Sequence, residues 1–107
     1  MKALIFHGTY GSPQGNWFEW LQEHLMMEGW QVAIPTLPTP EEQSLDNWKQ
    51  ALATQVPGFQ DVDVMIGHSC GGSFALRLLE EGLAQPQQTI LVSAVIDALG
   101  NQFDELN

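Results

Sequence analysis

At 107 residues the chain has room for one compact domain, and 44% apolar against 15% charged residues describes a chain that buries a core rather than a disordered tail. Three Lys and Arg against 13 Asp and Glu give a net charge of −10, a surface that phosphate backbones and anionic membranes repel, so nucleic acid and membrane are not expected as partners. The single cysteine excludes an internal disulfide and suits a reducing compartment, and the apolar run Ala3–Phe6 is too short for a signal peptide or a membrane span, so a cytoplasmic location is expected.

Lys2–Phe6 reads as a first strand, running into a loop from His7 to Pro13. Asn16 is a candidate helix cap, with Glu19 placed to complete a capping box. Trp17, Leu21, His24, Leu25 and Glu28 then recur at helical spacing, and Trp20 with Met27 widens the apolar face up to Gly29. Trp30–Ile34 is a second strand, followed by a stiff loop from Pro35 to Pro40. Ser44 caps a second helix in which Leu45, Trp48, Leu52 and Val56 share a face, and Pro57-Gly58 closes it. A third strand over Val62–Ile66 leads into a glycine-rich turn and a helix over Ser73–Glu81, ended by Gly82. Gln88–Ser93 is a fourth strand, and residues 94–107 are irregular or weakly helical.

Regular alternation of strands and helices predicts a single α/β domain over residues 1–107, built on a doubly wound, mostly parallel four-stranded sheet with right-handed crossovers. By analogy with related folds the order is 2-1-3-4. Every loop leaving the C-terminal end of a strand then meets on one edge, where open parallel sheets bind ligands.

That edge holds Gly67-His68-Ser69-Cys70-Gly71, which fits G-x-S-x-G between a strand and a helix. A turn from strand to helix over one residue crowds its neighbours, and glycine two positions before and after leaves room where a Cβ would clash. The Cys70 amide then points toward an oxyanion beside Ser69. A phosphate-binding loop is excluded, because Gly71-Gly72-Ser73 lacks the lysine it requires.

Phe6-His7-Gly8, Asn16-Trp17, Trp20-Leu21, Leu37-Pro38, Trp48 and the G-H-S-C-G run together resemble the α/β-hydrolase fold, and more narrowly its small serine hydrolases of the retinoblastoma-binding-protein/YdeN type. The resemblance extends through Ser93 and implies Ser69 as nucleophile, with the Cys70 amide and the loop Gly8-Thr9 supplying the oxyanion hole. It implies esterase-like or amidase-like hydrolysis of a small-molecule substrate without a cofactor. The family's triad runs Ser, then Asp or Glu, then His, yet no histidine follows Ser69. The chain therefore looks like the N-terminal part of a hydrolase domain, lacking its C-terminal strands and loops. Its uncovered sheet would favour a homodimer or a complementing C-terminal fragment.

Within the chain, His7 is the only histidine on the right edge and the one candidate base, although the resemblance gives its position a structural role. His68 is expected to point away from the active face, and His24 to lie mid-helix. Asp97 is the candidate acid, with a solvated loop carboxylate as the plainer alternative; Asp104 and Glu105 read as tail charges. Cys70 reads as a small buried hydrophobe, Arg77 as a solvated partner of Glu80 and Glu81, and the four tryptophans as helix-to-sheet packing. The competing function is a catalytically inactive hydrolase-like module that binds a partner.

Overall fold

The computed structural model describes residues 1–93. The order is β1 (Lys2–Phe6), α1 (Phe18–Met27), β2 (Gln31–Ala33), α2 (Leu45–Gln55), a 3-10 turn over Phe59–Asp61, β3 (Val64–His68), α3 (Cys70–Glu80) and β4 (Gln88–Val92). The strands form one parallel sheet in the order β2-β1-β3-β4. The chain thus starts in the sheet's interior, steps outward to β2, and returns on the opposite side of β1. That reversal makes β1 and β3 neighbours, with Ala3 opposite Val64 and Phe6 opposite Gly67, so their exit loops flank one crevice.

The period of two along the strands divides the core. Leu4, Phe6 and Met65 face a cluster with Trp48 and Leu52 of α2 and Phe74, Ala75 and Leu78 of α3. Ala3, Ile5, Val64 and Ile66 face the other way, onto Phe18, Leu21 and Leu25 of α1. Trp48 is wholly buried, and its indole Nε1–H donates to the Pro38 carbonyl at 2.7 Å, which anchors the proline-rich loop to α2. Ser44 caps α2 as expected: its backbone is extended, and its hydroxyl accepts from the Asn47 amide at 3.1 Å. Arg77 pairs with Glu81 at 3.7 Å, and Lys49 reaches the same carboxylate at 2.6 Å.

Three local expectations need correcting. Asn16 does not cap α1; it has a positive φ of 49°, and Trp17 holds the cap position without a side-chain cap bond. Backbone turns replace the cap, with the Gly15 amide on the Ser12 carbonyl and the Phe18 amide on the Gly15 carbonyl. Trp20 and Met27 face solvent at 60% and 81% exposure, while Phe18, Leu21 and Leu25 are the α1 residues that pack on the sheet. β3 begins two residues later than expected and runs through Gly67 and His68, since its ladder with Leu91 and Val92 of β4 continues into the glycine-rich run. Beside α1, the sheet opens into a trough of about 370 Å³ lined by Leu21, Leu25, Ile66, Ile90 and Val92.

The approach of α3 to the sheet is tight enough to test. A Cβ on Gly71 would fall on the carbonyl oxygens of Phe6 and His7, and one on Gly67 would lie 2.5 Å from the Gly71 oxygen. Backbone cannot yield as a side chain does. Gly71→Ala is therefore expected to lower stability by about 3 kcal/mol or more, against about 1 kcal/mol for Ser44→Ala, which removes only a cap. Urea denaturation of both variants measures this, and equal midpoints would refute the close contact.

Candidate active site

β3 passes into α3 through Ser69 alone, at φ 55° and ψ −120°. A serine in this region carries strain of about 1–3 kcal/mol and persists only where its surroundings fix it. They do so by main-chain bonds. The Ser69 amide donates to the Val92 carbonyl at 2.9 Å, and its carbonyl accepts from the amides of Gly72 and Ser73 at 2.9 and 3.3 Å. The result is a half-buried serine at the N-terminus of an 11-residue helix, on the C-terminal edge of the sheet. The helix dipole and the first-turn amides make this position favourable to negative charge.

The exit of β1 presses against that turn. A Cβ on Gly8 would lie 3.1 Å from both the His68 oxygen and the Ser69 Cβ, and 3.5 Å from the Cys70 nitrogen. A side chain here would push the loop or the turn apart by a few tenths of an ångström. The Gly8 carbonyl accepts from the Gly11 amide at 3.0 Å and from His7 Nδ1 at 2.9 Å, closing a tight turn around Thr9 and Tyr10. His7 is wholly buried, and its Nε2 accepts the Leu37 amide at 2.9 Å. An acceptor at Nε2 places the proton on Nδ1, so the ring is neutral and both nitrogens are bonded to backbone. Burial lowers its pKa from the ordinary 6.5, and the bond to the Gly8 carbonyl opposes that only in part.

The other two histidines lie on the α1 side. His68 is half-buried with its ring edge-on to Trp17 and Phe18, both at 5.9 Å, as expected for a residue turned from the crevice. His24 bonds the Trp20 carbonyl at 2.8 Å and lies over the exposed Trp20 ring. Cys70 is buried, and burial raises its thiol pKa while a hydrogen bond from Thr9 lowers it. Its environment is therefore that of a packed, protonated thiol. The candidate acid Asp97, with Asp104 and Glu105, lies outside the described residues. Among the described residues no cluster of His, Cys, Asp and Glu could hold a metal ion.

One buried polar side chain at this edge has no sequence signature. Gln43, 2% exposed between the proline-rich loop and α2, bonds Thr9, Thr39 and Cys70. Neither spacing nor motif marks it. The only available hint is a glutamine directly before a capping serine.

Comparison with known proteins now adds to this geometry. The family model described as "Serine hydrolase" matches residues 3–105. The chain is 32% identical over 79 residues to "Putative hydrolase YdeN" of Bacillus subtilis (strain 168), an alignment covering 74% of this chain and 42% of that protein. The crystal structure of the ydeN gene product from B. subtilis matches with a TM-score of 0.73 at 29% identity, over 87% of this chain and 51% of that one. The chain spans about half the length of the relatives it matches.

The buried, neutral His7 makes stability depend on pH. Its folded pKa lies below its unfolded value, so the unfolded chain binds the proton more readily. The contribution of neutral His7 is complete above about pH 6.5 and is lost progressively as pH falls below that value toward the folded pKa. Denaturation of wild type and His7→Gln between pH 7.5 and 5 checks this. Wild type should lose stability more steeply with acidification, and parallel curves would contradict it.

Proposed function

Because the chain belongs to the serine hydrolase family, we propose that Ser69 is the nucleophile of an acyl-transfer site that hydrolyses small ester or amide substrates. The observation that carries this reading is the strained Ser69 at the head of α3, with Gly8 packed against it and the Cys70 amide beside both. Attack of Ser69 Oγ on a carbonyl would form a tetrahedral oxyanion. The Cys70 amide and the amides of the Gly8-Thr9 segment supply its donors, in a position where the dipole of α3 adds to them. Collapse expels the alcohol or amine and leaves an acyl-serine, which water then cleaves.

The base is not among the chain's three histidines. His7 holds two loops together with both ring nitrogens, His68 packs under Trp17, and His24 lies on the outer part of α1. In this reading the histidine comes from a complementing segment, and the carboxylate either from that segment or from Asp97, the chain's own candidate for the acid. A second reading, an inactive module that binds a partner, draws support from the same shortage of a base and from the apolar trough with its 40% exposed Ile90. No described helix is long and apolar enough to cross a membrane.

A serine without a base in hydrogen-bond reach is a weak nucleophile near neutral pH. The chain alone should hydrolyse p-nitrophenyl acetate slowly and label weakly with a fluorophosphonate. Ser69→Ala should remove both signals, and His68→Gln should leave them within about twofold. Adding a polypeptide that carries a family-type histidine loop should raise both by on the order of 10⁴-fold or more, the scale of the loss when a triad member is disabled. Turnover by the chain alone at ordinary enzyme rates, on the order of 10 per second, would overturn the assignment of the base.

A further inference from the structure

Gln43 joins three segments at the crevice: the loop leaving β1, the loop leaving β2 and the start of α3. Its Oε1 accepts from the Thr39 hydroxyl at 2.7 Å, and its Nε2 donates to the Thr9 hydroxyl at 2.8 Å and to Cys70 Sγ at 3.6 Å. Thr39 Oγ1 in turn accepts the Tyr10 amide at 2.8 Å. The orientation of the carboxamide follows from this. Thr39 Oγ1 already accepts Tyr10, so its proton is directed to the Gln43 oxygen, and the amide protons are left for Thr9 and the thiol. Thr9 receives a bond from Gln43 and passes one to Cys70, which closes a triangle of side chains.

These bonds tie together segments that are far apart along the chain. Thr9 and Tyr10 belong to the loop leaving β1, Thr39 to the loop between β2 and α2, and Cys70 opens α3. A buried carboxamide is costly unless all its groups are satisfied, so it resists displacement from any of its partners. Gln43 therefore acts as a spacer between the Thr9 segment and Cys70. Those are the two backbone sources of oxyanion donors in the reading above, on which this inference rests.

We infer that Gln43 is a positioning residue: it sets the separation between the Thr9 and Cys70 amides through Thr9, Thr39 and the Cys70 thiol, without touching substrate. A displacement of about 1 Å in such an arrangement costs on the order of 10²-fold in rate, so a partial loosening should be felt in kcat and much less in KM.

The test compares Gln43→Met, similar in length but without polar atoms, with Thr9→Val, Thr9→Ser and Gln55→Met. Gln55 holds the same loop by two bonds to the Thr36 backbone, at 2.7 and 2.8 Å, and does not enter the site. For p-nitrophenyl acetate, Gln43→Met and Thr9→Val should each lower kcat by about tenfold or more with KM within twofold. The double variant should be no worse than either alone, Thr9→Ser should retain the rate, and Gln55→Met should leave it unchanged. Amide hydrogen exchange gives a second readout that needs no turnover: protection at Tyr10 should fall about tenfold in Gln43→Met and stay unchanged in Gln55→Met. If Gln43→Met does not fold, Thr39→Val takes its place in both measurements. A folded variant with wild-type kcat and wild-type exchange at Tyr10 overturns the role of Gln43. Hydrolysis that survives Ser69→Ala overturns the nucleophile instead, and the exchange result then stands alone in judging Gln43.

Discussion

The structure depends on one contact between main chains. Gly71, in the first turn of α3, lies directly on the carbonyls of Phe6 and His7 at the end of β1, and Gly67 lies as closely against Gly71 and Gly72. Three segments therefore meet with no side chain between them. This approach permits the strand to turn into a helix over Ser69, since any wider spacing would let that residue relax into a common conformation. The remaining hydrogen bonds of Ser69 act on a geometry already limited by packing. Its amide is held by Val92, the last residue of β4, so the outer strand contributes to the turn as well.

Above this contact lies a polar layer of unusual economy. His7 and Gln43 are both buried, and each uses a side chain to satisfy groups on neighbouring loops. His7 joins the Gly8 carbonyl to the Leu37 amide, while Gln43 joins Thr9 to Thr39 and Cys70. A single such bond contributes about 0.5–1.5 kcal/mol, but losing one partner leaves the other desolvated and costs about 1–3 kcal/mol. Irregular loops with few bonds of their own are thus tied to the rigid end of the sheet.

The features legible in the sequence were those set by local rules. Short apolar runs gave the strands, alternation with helices gave a parallel sheet, and Ser44 marked its helix because a cap is a contact between near neighbours. The sharp turn at Ser69 was visible because close backbone approach admits only glycine, so Gly67 and Gly71 leave a trace in the sequence itself. Other features depend on distant partners. Asn16 and Glu19 satisfy the capping pattern, but turns from Ser12 and Gly15 already occupy that end of α1. Trp20 fits an apolar stripe by spacing, yet its side chain lies on the solvent side of α1, beside His24. Gln43 meets residues 34 and 27 positions away, and no spacing rule reaches that far.

The turn that carries Ser69 is held by main-chain groups, and this affects how such a chain can diversify. Amides and carbonyls are the same whatever residue bears them, so their arrangement survives substitution as long as the glycine contacts and the buried ties remain. Tyr10 shows the other side of this division. It is 80% exposed, and its place in the network is made by its backbone amide alone, bonded to Thr39. Its side chain is consequently free to vary without disturbing the loop that presents it. Inheritance of the scaffold and change in what the rim displays are thereby assigned to different atoms of the same residue.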